Sequence, residues 1–290
     1  MAETFPDEFA QLTVFAERHE RFVNTTIARL PHEVEFILAC LEFKGRMERL
    51  GLPMSYPTIT EKPGLLAEGC YDAALAASGH AVGESAGMKR QDVMVQNSLE
   101  LAGAERFVVV TGPNQGGKTT FARAVGQLHH LAALGCPVPA ARSEVFLTDG
   151  IFVQFERQED PGSRRGKLQD DLLRIRTILQ ETTPRSLVIM NEVFSSTSTQ
   201  DALELGQRIL LPLLRLGCLG VCVTFLEELA SGDDRDVSMV ADVDPDDPSV
   251  RLYTLSRRPP DGRAHAESLM TKYRLGLDAI KDRVARRESD

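Results

Sequence analysis

A glycine-rich segment at residues 111–120 has the residue types and the spacing that bind phosphate groups. It reads TGPNQGGKTT, directly after the apolar run FVVV and directly before a helical pattern. Glycines let the backbone approach an anion so that N–H groups point inward, and a helix that begins here presents the positive end of its dipole. The pattern GxxxxGK[ST] between a strand and a helix is typical of a loop that binds nucleotide phosphates.

Each position of this segment has an expected role. Lys118 is expected to reach the β- and γ-phosphates of ATP, and the Thr119 hydroxyl is expected to be a ligand of Mg²⁺. The predicted phosphate contacts are Gly112, Pro113, Asn114, Gln115, Gly116, Gly117, Lys118, Thr119 and Thr120. ATP and Mg²⁺ are therefore the predicted cofactors. The alternative is a tight glycine turn followed by an exposed lysine.

A second apolar run, residues 186–190, ends in Asn191 and Glu192. P-loop ATPases carry two acids at this place, one that orients the water shell of the metal and one that polarises the attacking water. Asn191 can accept a hydrogen bond from a metal-bound water but carries no charge, so we predict a metal contact with lower Mg²⁺ affinity than an aspartate gives. Glu192 is the predicted general base. The alternative for Glu192 is a carboxylate that caps the next helix or pairs with a surface cation.

The elements that must position these residues alternate between short apolar runs and helical patterns, which is typical of an α/β fold with a mainly parallel sheet. The predicted strands are residues 107–111, 151–155, 187–190 and 220–224, and the predicted helices are residues 118–134, 168–182 and 201–216, the last containing Pro212. Two further strands, residues 237–243 and 250–256, are joined by an acidic turn. Because the runs are apolar throughout, both faces of the sheet should be covered.

Three segments are predicted along the chain. Residues 1–51 form a helical segment of two helices, the second opened by Pro31; residues 52–232 form the α/β domain; residues 233–290 form a hairpin and a final amphipathic helix from about Ala264.

Composition limits the function classes. The 290 residues carry a net charge of −9, which does not suggest a DNA-gripping basic face. No apolar run has the length of a membrane span and no leader pattern is present, so we expect a cytoplasmic protein without membrane contact. The five cysteines show no CxxC pairing and are expected to be buried apolar residues rather than a zinc site.

Residues 111–229 resemble the C-terminal ATPase domain of the MutS family, whose phosphate loop reads TGPN-x-GGK-[ST]-T. The similarity extends to LGCPVPA at residues 134–140, to SSTSTQD at residues 195–201 and to VQNSL at residues 95–99. The hairpin at residues 237–256 and the helix at residues 262–283 resemble the family's C-terminal dimerisation region. The resemblance implies an ABC-related P-loop fold, ATP hydrolysis, a homodimer formed through the ATPase face and the C-terminal helix, and a role in DNA mismatch repair.

The sequence departs from the family pattern at three places. Residue 191 is an asparagine where the family has an acid, and Phe225 follows Thr224 where the family has a histidine. The segment near Gly166, which carries a serine in the family, reads RRGKLQDD here. Two interpretations of that segment remain: Arg164, Arg165 or Lys167 contacts the phosphates of a partner's site, or the loop is a solvated basic surface. The mismatch-reading clamp domains of full-length relatives are expected to be absent from this sequence.

The predicted function is an ATP-binding and ATP-hydrolysing domain of a MutS-like protein that acts as a nucleotide-switched dimer, with DNA a partner by resemblance alone. The first alternative is a dimerisation switch that binds ATP with little hydrolysis and no direct DNA contact. The second is a P-loop kinase for small molecules, supported only by the loop around Arg164.

Overall fold

A computed structural model describes residues 4–19, 24–78, 94–155, 166–194, 196–230, 234–248 and 250–260. The chain divides into two compact units, Met1–Arg46 and Met47–Asp290. The predicted C-terminal helix from about Ala264, and with it the expected dimerisation helix, lies outside the described residues. No helix in the described ranges is long and apolar enough to cross a membrane.

Two helices occupy the first part of the chain, as the apolar spacing predicts: α1 (Pro6–His19) and α2 (Thr25–Arg49). The predicted start of the second helix at Pro31 is wrong, because α2 begins at Thr25 and contains Pro31 in its second turn. A proline lacks the N–H group, so at this position it removes the hydrogen bond to the carbonyl of Ile27 without ending the helix. None of the residues of α1 is buried.

The second unit is mixed α/β and contains two sheets. In chain order its elements are β1 (Thr58–Thr60), β2 (Leu65–Cys70), α3 (Ala73–Ala77), β3 (Asn97–Leu101), β4 (Phe107–Thr111), α4 (Lys118–Ala133), β5 (Arg142–Phe146), β6 (Ile151–Phe155), α5 (Lys167–Glu181), β7 (Leu187–Asn191), α6 (Thr199–Leu216), β8 (Leu219–Val223), a short 3-10 helix (Glu227–Leu229), β9 (Asp236–Val243) and β10 (Arg251–Arg257).

The larger sheet has the strand order β10-β9-β4-β8-β7-β6. All neighbours are parallel except β9 and β10, which form an antiparallel hairpin at one edge. The predicted parallel strands and helices are all present, with ends that differ by no more than two residues. Every residue of β4, β7 and β8 is buried, because helices or the second sheet cover both faces.

Two apolar clusters hold the larger sheet in place. On one face, α4 packs through Phe121, Val125 and Leu128 against the sheet and against the smaller sheet. On the other face, α5 and α6 bury residues that include Ile175 and Leu213. Helix α4 follows β4 in the chain and packs on this face of the sheet. The glycine-rich segment connects the end of β4 to the start of α4.

The smaller sheet, with the order β1-β5-β2-β3, is absent from the sequence-based expectations. Its strands are short, and β2 and β3 pair antiparallel across an irregular register near Cys70. Buried Asp72 joins this region to α4, since one of its oxygens accepts hydrogen bonds from Leu75 N–H (3.0 Å) and Gln127 Nε2 (2.7 Å) and the other lies 2.9 Å from Arg123 Nε.

Candidate phosphate-binding site

The carboxyl ends of three neighbouring parallel strands form the edge at which the candidate residues meet. Val223 of β8 pairs with Val110 of β4 on one side and with Asn191 of β7 on the other. Just beyond, Thr224 N–H donates to the Val110 carbonyl (3.0 Å) and Glu192 N–H donates to the Val223 carbonyl (2.9 Å). Ligands of open α/β sheets bind at this edge. The register therefore brings the glycine-rich loop, residues 112–117, beside the Asn191–Glu192 pair.

The glycine-rich loop is shaped by three residues with positive φ, Gly112, Gln115 (φ 61°) and Gly117, and by its contact with β9. Gly112 has φ 110° and Gly117 has φ 88°, conformations that side chains rarely adopt. A Cβ atom at Gly112 would lie 2.9 Å from the Ala241 nitrogen, and one at Gly116 would lie 2.9 Å from the Ala241 Cβ. The loop thus requires glycine for space as well as for conformation.

Helix α4 begins where the loop ends. Gly117 caps it without a side-chain hydrogen bond, so the capping residue has no side chain that would occupy the first N–H groups of the helix. These groups and the helix dipole make the loop a favourable place for an anion. Thr120, in the first turn, is half-buried.

Lys118 is almost completely buried, with 4% of its surface exposed. Its ammonium donates to the carbonyl oxygens of Gly112 (2.7 Å) and Pro113 (3.2 Å) and to Asn114 Oδ1 (3.4 Å). Burial lowers the pKa of Lys118, the nearby Glu192 carboxylate opposes this shift, and the Arg251 charge adds to it. The side chain is therefore a desolvated cation folded back on its own loop, available to an anion that enters the loop.

Thr119 and Asn191, both predicted as metal contacts, are joined directly. The Thr119 hydroxyl donates to Asn191 Oδ1 at 2.8 Å. Asn191 is buried at the last position of β7, which fixes the direction of its amide. The pair offers one hydroxyl and one amide oxygen, neither of which carries a charge.

Glu192 is the residue that follows the end of β7. It has φ 49°, in the left-handed region that non-glycine residues seldom adopt. This turn directs its carboxylate toward the loop, where Oε1 lies 3.9 Å from Lys118 Nζ, and its side chain remains 27% exposed. Such a conformation costs of order 1–3 kcal/mol and is concentrated at functional sites. The Glu192 carboxylate therefore lies beside the lysine of the loop and also reaches water.

The β9–β10 hairpin contributes two residues that the sequence analysis does not single out. Tyr253 has φ 61° in an irregular stretch of β10, and its backbone and Cβ lie within about 3.6 Å of the place where Gly117 would carry a Cβ. Asn97 of β3 holds this stretch, because its amide donates to the Tyr253 carbonyl (3.1 Å) and accepts from Leu255 N–H (2.7 Å). The backbone of this exposed tyrosine thus lies beside the loop.

Arg251, the second of these residues, precedes Tyr253 by two positions. Its Nε donates to the Asn114 carbonyl at 3.3 Å, and its Nη1 donates to the Pro248 carbonyl at 2.7 Å. The basic side chain inside a strand pattern is the only sequence signal for it, and a contact between residues 114 and 251 depends on the folded hairpin.

Several predicted residues are placed elsewhere or not described. Thr224 is buried and Phe225 is 45% exposed at the end of β8, so no histidine faces the site from this position. Lys167 is the first residue of α5. Arg164, Arg165 and Ser195 lie outside the described residues.

The described part of the chain places no group of three or more histidine, cysteine, aspartate or glutamate residues that could hold a metal ion. A small apolar cavity of about 20 Å³ lies between α6 and the ends of β7 and β8, lined by residues that include Phe194, Ile209 and Cys222. This volume holds about one water molecule. The open surface of the glycine-rich loop is therefore a better ligand site than this cavity.

Comparison with known proteins agrees with the resemblance. Residues 108–247 match the model of MutS domain V. The chain is similar to the DNA mismatch repair protein MutS of Thermotoga sp. (strain RQ2), with 35% identity over 135 residues, which is 47% of this chain and 17% of that protein. It is also similar to MutS of Chloroflexus aurantiacus (strain ATCC 29366 / DSM 635 / J-10-fl), with 31% identity over 173 residues, 58% of this chain and 17% of that protein.

A third relative, MutS of Shouchella clausii (strain KSM-K16), is 33% identical over 154 residues, 53% of this chain and 16% of that protein. This mixed α/β chain is therefore MutS-related over its matching segment. The matches span about a sixth of the length of these relatives.

Proposed function

We propose that the chain is a MutS-like ATPase domain of P-loop fold, which binds ATP at residues 112–120 and acts as a nucleotide-switched dimer in DNA mismatch repair. The observation that carries the proposal is the buried Lys118, held 2.7 Å from the Gly112 carbonyl inside a loop that only glycine can form beside Ala241. Burial of an ammonium is costly; the Glu192 carboxylate, 3.9 Å away, offsets part of that cost, and a bound phosphate would offset more of it.

The remaining groups fit the other parts of a nucleotide. The N–H groups at the start of α4 suit the phosphates, and the exposed Tyr253, whose backbone lies beside Gly117, carries a ring that suits a base stacked on it. The Thr119 hydroxyl and the Asn191 amide suit the water shell of Mg²⁺, although their lack of charge makes them weak ligands. Mg²⁺, when bound, supplies charge neutralisation to the phosphates.

Glu192 is the proposed general base. In the hydrolysis step a water oxygen bonds to the γ-phosphorus, the bond from that phosphorus to the bridging oxygen breaks, and Glu192 accepts the proton of the water. The carboxylate is partly exposed and lies 3.9 Å from Lys118, which holds it at the phosphate side of the site. Removal of the carboxylate should therefore abolish turnover and leave binding nearly intact.

Steady-state ATP hydrolysis by the purified chain, with and without duplex DNA that carries a mismatch, tests this proposal. Turnover should fall at least 100-fold in Glu192→Gln, while ATP affinity changes less than about threefold. Turnover by Glu192→Gln equal to that of the wild type would show that this carboxylate is not the base. Acceleration by mismatched DNA would support coupling to repair.

A second function, an ATP-dependent dimerisation switch with little hydrolysis, is favoured by a specific observation. Asn191 replaces the acid that would orient the metal, and Phe225 replaces a histidine at the end of β8. ATP-dependent dimerisation in sedimentation experiments, combined with slow or absent turnover, would favour this function over an active ATPase.

A further inference from the structure

Arg251 is a second cation, besides Lys118, that contacts the glycine-rich loop. It is half-buried, it belongs to the same chain as the loop, and its Nε donates to the Asn114 carbonyl at 3.3 Å. Asn114 is also the residue whose side-chain oxygen accepts from Lys118 at 3.4 Å. One loop residue is therefore in contact with both cations.

The two cations at the loop lie close enough to influence each other. Lys118 and Arg251 are near enough that the Arg251 charge contributes to the lowered pKa of Lys118. The Glu192 carboxylate lies 3.9 Å from Lys118 Nζ, while Asn191 is neutral. Lys118 and Arg251 are thus two cations at the loop, and the phosphates of a nucleotide are anions that both could bind.

We propose that Arg251 binds the phosphates of the nucleotide in its own chain and supplies part of the charge that Mg²⁺ would otherwise provide. The site would consequently hold a nucleoside triphosphate with little dependence on Mg²⁺. This inference rests on the proposed nucleotide site and concerns how that site neutralises the phosphates.

The geometry of a guanidinium permits this role. It carries five N–H groups in a planar fork, so Arg251 can keep its bonds to the Asn114 and Pro248 carbonyls and still donate to a phosphate oxygen. Arginine-phosphate bonds are short, charge-assisted and frequently bidentate. The Pro248 carbonyl, 2.7 Å from Nη1, fixes the guanidinium against the hairpin turn and reduces the entropy lost on binding.

Equilibrium titration with ATP tests the proposal in two buffers, one with Mg²⁺ and one with EDTA. The variants are Arg251→Gln, Arg251→Lys and the control Arg257→Gln, which removes a cation from the same strand where it pairs with Glu105. The wild type and the control should lose less than about fivefold in affinity when Mg²⁺ is removed. Arg251→Gln should lose about tenfold or more in EDTA and clearly less with Mg²⁺, because the metal then replaces the missing charge.

Arg251→Lys should give an intermediate loss in EDTA, because it keeps the charge without the planar fork. The unfolding midpoint of each variant separates a loss of binding from a loss of fold. An equal loss by Arg251→Gln in both buffers, or no loss in either, would overturn the role assigned to Arg251. A wild type that binds ATP only with Mg²⁺ would overturn the metal-independent site while leaving the proposed function standing. Absence of ATP binding in both buffers would overturn the two together.

Discussion

At Gly112, the space left by β9 decides which residue can be present. The position combines φ 110° with an Ala241 nitrogen only 2.9 Å from where a Cβ would lie. We predict that Gly112→Ala destabilises the fold by roughly 1–3 kcal/mol beyond the cost of a left-handed alanine, since backbone must move. Gly103→Ala is the matched control, because Gly103 has φ 61° with nothing within 4 Å of its Cβ position.

Chemical unfolding of the two alanine variants measures this difference. The control should lose about 1 kcal/mol, the cost of a left-handed conformation for a residue with a side chain. Equal losses by Gly112→Ala and Gly103→Ala would contradict the close approach of the loop to β9.

Single residues also show how much of the candidate site can be predicted from the sequence alone. The spacing of the glycines, Lys118 and Thr119 predicts their place between a strand and a helix, because neighbours in sequence carry that local pattern. Arg251 and Tyr253 were missed since their contact with the loop joins residues far apart in sequence. That contact depends on the irregular register of β10 and on the Asn97 amide that holds it, neither of which leaves a periodic signal.

Helix α4 contains a buried histidine that makes the stability of the fold depend on pH. His129 is 1% exposed, and its Nδ1 lies 3.0 Å from the Val125 carbonyl. Burial lowers the pKa of His129 from 6.5 to about 4. The unfolded chain therefore takes up a proton at a higher pH than the folded chain does, so this stability is complete above pH 6.5 and is lost as the pH falls toward 4.

We predict that acidification from pH 7 to pH 5 lowers the free energy of unfolding by about 2 kcal/mol through His129 alone. Urea unfolding at the two pH values measures the change. The His129→Met variant, which fills a similar volume without a titrating group, should lose less over the same interval. If the wild type and His129→Met lost the same free energy of unfolding between pH 7 and pH 5, His129 would not contribute to the pH dependence of stability.

At the level of elements, the strands with continuous apolar sequence were predictable and the smaller sheet was not. Strands β4, β7 and β8 are covered on both faces, so their sequences are apolar throughout. The smaller sheet is built from strands of three to six residues with mixed exposure. Strands β4, β7 and β8 are equally short at five residues, so the mixed exposure of the smaller sheet, which leaves no continuous apolar run, is what hides its strands in the sequence.

In the two N-terminal helices, the sequence predicts the elements but not the boundary of the second one. The apolar spacing correctly indicates two helices, but Pro31 wrongly indicates the start of the second. A proline in the second turn removes one hydrogen bond of α2, and the turns on either side continue. Helix boundaries inferred from a proline therefore require the surrounding residues to disfavour a helix as well.

For the whole molecule, the segment that matches MutS domain V and the geometry of the sheet edge both favour the same site for a nucleotide. Residues 108–247 are MutS-related, and the same stretch contains the glycine-rich loop and the Asn191–Glu192 pair. The β9–β10 hairpin, part of it beyond that match, adds Arg251 and Tyr253 beside the loop. Nucleotide binding is thus the claim on which ATP hydrolysis, dimer switching and coupling to DNA all depend.

The most direct test of this claim is an equilibrium titration of the purified chain with ATP, beside Lys118→Ala. We predict saturable binding by the wild type and a loss of at least 100-fold in affinity for the variant, with Arg208→Ala, a change at an exposed cation of α6, as a control that binds normally. Lys118→Ala must retain the unfolding midpoint of a folded chain for this result to count. Unchanged ATP affinity in folded Lys118→Ala would contradict the assignment of the site.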